Sequence, residues 1–193
     1  MPATDYGLGQ LSMTSVRLPT NTKNEEIRFV CWGGRFRINV TKNNEMRPIF
    51  EFICNGEKGL AIRRVMERTI KASPGTRYPI IFSTWDNNER KYKPSHALTF
   101  VKDDKNIYHV ELKYKGITYD SIVKGPSGIA FGSEAMSDAE KSSFGMEYLL
   151  DYVANTVRIQ EILTNKKMER PAGSPPPSSG SAGSTPADDT DFF

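Results

Sequence analysis

Apolar residues in the first half of the chain recur at every second position. In Arg35-Phe36-Arg37-Ile38-Asn39-Val40 the set Phe36, Ile38 and Val40 alternates with Arg35, Arg37 and Asn39, the period of a strand with one buried face. The run Ile27 to Trp32 precedes it across Gly33-Gly34, and two β-rich runs split by such a pair predict a hairpin. A third run, Pro48 to Cys54, follows the polar turn Lys42 to Glu45, and a shorter strand-like patch, Met13 to Leu18, lies upstream. The period then changes. Leu60, Ile62, Val65, Met66, Thr69 and Ile70 fall three and four apart between Arg63, Arg64, Glu67 and Arg68, which predicts an amphipathic helix over 57–72, stopped by Ser73-Pro74-Gly75. Strand-like runs resume at 78–85, 97–102, 108–113 and 116–123, joined by polar turns. Ser137-Asp138-Ala139-Glu140 reads as a capping box that opens a helix reaching to about Lys166.

Strands in runs with helices between them predict an α+β fold of antiparallel β-sheets, a strand meander and a helix occurring twice, packed on two helices. An OB-like β-barrel with helices is the alternative, since its strand count is also compatible. Residues 1–24 are expected to form a flexible arm, with an edge strand in it, and 25–168 the folded domain. From 169 to 193 the chain is expected to be a disordered linker and acidic tail, because its Pro, Gly, Ser, Ala and Thr have little to bury against the entropy of ordering.

Charge sharpens this division. The formal net charge of +3 says little, yet all 26 bases and 20 of the acids precede Pro171, while Asp188, Asp189 and Asp191 follow it. A body of +6 thus carries a tail of −3, a polarity suited to a body that meets a polyanion. No apolar run approaches the roughly 20 residues of a membrane span, and no secretory signal is expected from the N-terminal residues. The two cysteines, Cys31 and Cys54, sit in apolar runs without metal-ligand spacing and read as buried reduced thiols of a cytoplasmic protein.

Catalysis finds no support. His96 and His109 lack partners at metal or acid–base spacing, Lys124-Gly125-Pro126-Ser127-Gly128 is a turn and not a phosphate loop, and no catalytic residue, metal or cofactor is expected. Single-strand binding is better served, because it needs cations for phosphates and exposed rings for bases on a firm platform. The candidates are Trp32, Arg35 and Arg37 in the first meander, and Trp85, Arg90, Lys91, Tyr92 and Lys93 in a polar loop. Lys113 and Lys115 complete the set near the end of a strand, and one sheet face is expected to carry them together with Arg35 and Arg37. Tyr119, Lys124 and the helix cations Arg63, Arg64, Arg68 and Lys71 are weaker candidates.

The chain closes on Asp188-Asp189-Thr190-Asp191-Phe192-Phe193. In these residues it resembles the bacterial and phage single-stranded-DNA-binding proteins, whose Gly/Pro/Ser-rich linkers end in a few acids and a terminal phenylalanine. A second phenylalanine replaces the usual Pro-Phe ending, and Thr190 interrupts the acids. The resemblance implies that Phe192 and Phe193, flanked by Asp188, Asp189 and Asp191, dock replication or recombination proteins. It also implies that the body protects single-stranded DNA in replication, recombination and repair, as in a viral or phage protein acting in the host cytoplasm. In element order alone the body is similar to the Whirly, Pur-type and PC4-type single-strand binders. A homo-oligomer completing a binding groove is expected as well. A protein–protein adaptor, or an RNA-binding or transcription-associated protein, is the competing reading.

Overall fold

The computed structural model describes residues 15–32, 35–42, 45, 47–54, 56–125 and 136–168, with the side chains of Trp32 and of 163–168 outside that set. Four strands come first: β1 (Ser15–Pro19), β2 (Glu25–Trp32), β3 (Arg35–Lys42) and β4 (Phe50–Cys54). Helix α1 (Gly56–Lys71) follows, then β5 (Thr76–Asp86), β6 (Lys91–Lys102), β7 (Tyr108–Tyr114), β8 (Ile117–Ile122) and helix α2 (Asp138–Met168). Each meander forms one antiparallel four-stranded sheet in sequential order, β1-β2-β3-β4 and β5-β6-β7-β8. The α+β reading therefore holds. Neither sheet closes on itself or on the other, so the OB-like barrel is not formed.

The alternation read from the sequence sets the faces. Ile27, Phe29, Phe36, Ile38, Val40 and Phe52 turn inward from the first sheet, and Leu98, Phe100, Val110 and Leu112 from the second. They form one core with Ile62 and Met66 of α1 and Met146, Leu149 and Val153 of α2. The sheets also meet directly. Phe50 stacks on Tyr114 at 4.0 Å and Phe52 packs 5.1 Å from Phe82, while the Ser121 hydroxyl donates to Pro19 O at 2.6 Å.

Helix α2 ties the layers together through buried and half-buried polar groups. Ser142 Oγ accepts from Tyr108 N at 2.8 Å and donates to Val123 O at 2.7 Å, and the Tyr152 hydroxyl accepts from Cys31 N at 2.9 Å. Gln160 Nε2 donates to Cys54 O at 3.0 Å. The capping box forms: Glu140 accepts from Ser137 N at 2.8 Å and Ser137 Oγ from Glu140 N at 3.3 Å.

Three expectations are corrected by packing. Leu60, read as an apolar-face residue of α1, is 36% exposed, whereas Gly59 is buried. A Cβ at Gly59 would stand 2.6 Å from Val157 Cγ2, so α1 and α2 cross where only glycine leaves room. The 91–96 stretch is strand, not loop. β6 starts six residues before the expected Ala97, and a register shift between Phe82 and Ser83 absorbs the change of phase that hid it. Tyr119, named as a weak binding candidate, is a core residue at 4% exposure. The β7–β8 turn is tight, with Lys115 and Gly116 both left-handed at φ 48° and 82°, as a two-residue hairpin loop of the primed type requires. The tail and its Asp188, Asp189, Asp191, Phe192 and Phe193 lie outside the described residues, as does the arm before Ser15.

Candidate nucleic-acid interface

β5 and β6 pair over their whole length, Thr76 with Lys102 to Asp86 with Lys91, and extend as a two-stranded ribbon beyond the rest of their sheet. Trp85 and Tyr92 are cross-strand partners near its tip, their rings edge to face with centroids 5.1 Å apart. They are 48% and 69% exposed. Two large rings held against each other by a strand register, yet open to solvent, form a preset stacking surface and not a folded-back anchor. Alternation puts Trp85 on the same side of β5 as Ile81, which is 64% exposed.

The charges around this tip are less free than the sequence suggests. Lys93 is held between Asp86 at 2.7 Å and Glu89, and Lys91 contacts Glu89 at 2.6 Å. Hydrogen bonds to these carboxylates raise the pKa of Lys93. Those from Lys93, and from Glu89 N and Asn88 N, lower that of Asp86. Arg90, left-handed at φ 49°, is the tip cation with no acidic partner among the described residues. Exposed pairs of this kind contribute little to stability, so a phosphate can replace the carboxylates at small cost.

Arg35 and Arg37 do not share a sheet with Lys113 and Lys115, contrary to their assignment to one sheet face. The outer face of the first sheet carries Arg17, Arg28, Arg35 and Arg37 beside Glu26 and Glu51. Arg28 pairs with Glu26, and Arg37 with Glu51 at 2.5 Å. Arg35 is exposed with no ion pair among the described residues. So is Arg17, which stands directly opposite Arg28 in the register; like charges so placed repel unless an anion lies between them. Sequence reading missed Arg17 because its strand is short and the cross-strand partner is invisible without the register. Trp32 pairs with Arg35 at the end of the β2–β3 hairpin through the backbone, and its side chain is outside the described residues.

Lys113 is exposed on the outer face of the second sheet between Ala97 and Thr118, while Lys115 lies over the Tyr114 ring at 5.3 Å. Lys124 is exposed. On α1, Arg63 pairs with Glu67 at 2.9 Å and Arg68 sits 5.7 Å over Tyr78, so this helix face is internally satisfied in part. At the far end of the second sheet the acids are matched by bases. His109 lies 3.6 Å from Asp103 and 3.4 Å from Asp120, and Glu111 pairs with Arg77 at 2.5 Å.

His96 sits in an aromatic cage. Its ring packs against Phe52, Phe82 and Phe50 at 4.4, 4.8 and 5.1 Å. Burial, with nearby Lys58, lowers its pKa to about 4. Cys31 and Cys54 are buried free thiols, and burial pushes Cys54 up to about 12. Among the described residues no helix is long and apolar enough to cross a membrane. No family model matches the chain, nor does any curated protein.

Proposed function

We propose that the folded domain binds single-stranded DNA without base selectivity, using the β5–β6 ribbon as a stacking platform. The observation that carries this reading is the exposed, register-locked pair Trp85 and Tyr92. A soluble domain gains nothing from leaving two such rings in water, whereas unpaired bases stack on them at about 1–3 kcal/mol each. Arg90 and Lys113 supply phosphate contacts near it, with Arg17, Arg35 and Arg37 on the first sheet as a second cationic surface. Two successive four-strand meanders, each followed by a helix, support kinship with the Whirly-like single-strand binders, where curved antiparallel sheets are backed by helices.

The acidic, phenylalanine-ended tail then serves replication or recombination partners, and a cytoplasmic, viral or phage setting suits a protein of this design. The test is an electrophoretic shift with a single-stranded oligothymidine at low and high salt, comparing the intact chain with one ending at Arg170. Binding that weakens steeply with salt and is at least as tight after truncation supports the reading. A body that leaves the oligomer unshifted in dilute buffer overturns it and favours the protein adaptor. A clear preference for the matched RNA moves it to RNA.

A further inference from the structure

The four sheet edges are protected unequally. β1 and β4 are five residues long and β8 six. β1 carries Arg17 and Pro19, β4 carries Glu51, and β8 carries Asp120 and is bridged to the first sheet through Ser121. Short, charged or covered edges resist pairing with other chains. β5 differs. It is eleven residues long, and from Tyr78 to Trp85 it bears no charge, Pro79 being the one position that withholds a backbone donor. Its free side receives no backbone hydrogen bond from outside its sheet among the described residues. Ile81, at its middle, is the most exposed of the leucines and isoleucines among the described residues, at 64%.

We propose that β5 pairs antiparallel with β5 of a second copy across a two-fold axis at Ile81, fusing two sheets into one of eight strands. The strand's charges select this arrangement. Arg77, whose pair with Glu111 is open to solvent and readily exchanged, stands near one end and Asp86, bridged to Lys93, at the other, so an antiparallel copy sets these unlike ends side by side, and a parallel copy sets like on like. Residues directly opposite in an antiparallel pair share a face, so a two-fold axis must pass through a residue pair of equal phase. With the axis at Ile81, Ile81 meets its own counterpart, Pro79 faces Ser83, and Arg77 faces Trp85. The partner's Arg77 is thereby placed beside the Trp85–Tyr92 platform, as cation–π recognition requires. Each copy completes the other's ring surface. The two platforms come to lie on one continuous face, separated by roughly eight residues of strand, or about 27 Å. This interface goes beyond the nucleic-acid reading, and it is measured without nucleic acid.

Sedimentation equilibrium of the full chain is expected to give a dimer, and Ile81→Lys a monomer with an unchanged circular dichroism spectrum. The register is read by cysteine cross-linking. Opposed Cβ atoms in such a pair stand about 4.5–5.5 Å apart, close to the separation a disulfide needs. Ile81→Cys should therefore link two chains under mild oxidation, and Ser83→Cys should not. The native Cys31 and Cys54 are buried and provide the background. A monomeric full chain at tens of micromolar overturns the proposal. So does a dimer that survives Ile81→Lys, or one that cross-links no better at residue 81 than at 83. A dimer that fails to bind single strands overturns only the DNA reading.

Discussion

His96 should make the fold sensitive to mild acid, and its surroundings set the size of the effect. The ring is enclosed by Phe50, Phe52 and Phe82, its Nδ1 meets Ser95 Oγ at 2.8 Å, and its Nε2 is buried without a hydrogen-bond partner among the described residues. A proton there would place a charge among rings with nothing to receive it. Folding lowers its pKa from 6.5 to about 4, so the unfolded chain takes up the proton first. The stabilisation is therefore whole above the unfolded value and is lost as pH falls from about 6.5 toward 4. Proton linkage with those two values sets an upper bound of about 2.5 kcal/mol on the loss between pH 7 and pH 4.5, and solvent screening of the half-buried ring brings it to roughly 1–2 kcal/mol. In urea, at a slope of about 2 kcal/mol per molar, that lowers the midpoint by about 0.5–1 M. Asp86, Glu89, Asp103 and Glu140, whose pKa values are held low, add losses at still lower pH. For that reason the measurement is a difference: urea midpoints of the intact chain and of His96→Phe, at both pH values, followed by far-ultraviolet circular dichroism. The variant keeps a ring in the cage and cannot titrate, so it should lose roughly 1–2 kcal/mol less. Parallel losses in the two proteins would refute the assignment of a buried neutral histidine.

Other outcomes follow from particular contacts. Trp85→Ala and Tyr92→Ala should each weaken oligothymidine binding by about 5- to 150-fold, the equivalent of 1–3 kcal/mol, as read by fluorescence anisotropy of a labelled oligomer with stability unchanged. Gly59→Ala gains helix propensity but forces a Cβ to 2.6 Å from Val157. It should cost about 1–2 kcal/mol net, and a Val157→Ala background should abolish that cost in a double-mutant unfolding cycle. Ser142→Ala strips a buried N–H of Tyr108 and a carbonyl of Val123 of their partner, and thermal unfolding should show a loss of about 2–4 kcal/mol. Truncation after Arg170 should leave or raise affinity for single strands, most visibly at low salt, where an anionic competitor matters most.

The period of the apolar positions determined most of the architecture. Alternation in 35–40 and 108–114 fixes which side of each strand is buried, and a three-and-four spacing in 57–72 does the same for a helix, because these are local properties of backbone geometry. The Ser137–Glu140 cap, the pairing of β2 with β3 and the Lys115-Gly116 turn were legible for the same reason. What the tertiary structure alone decided depends on residues far apart in the chain. The β6 strand begins at Lys91 because β5 offers it a partner, although Lys91, Lys93 and Pro94 break its own pattern. Gly59 replaces Leu60 in the core because α2 passes there. The candidate cations divide between two sheets, and Lys91 and Lys93 find acids, because pairing register and side-chain reach are set only once the strands are laid side by side. Sequence names which residues can carry rings and charge; the fold decides which of them share a face.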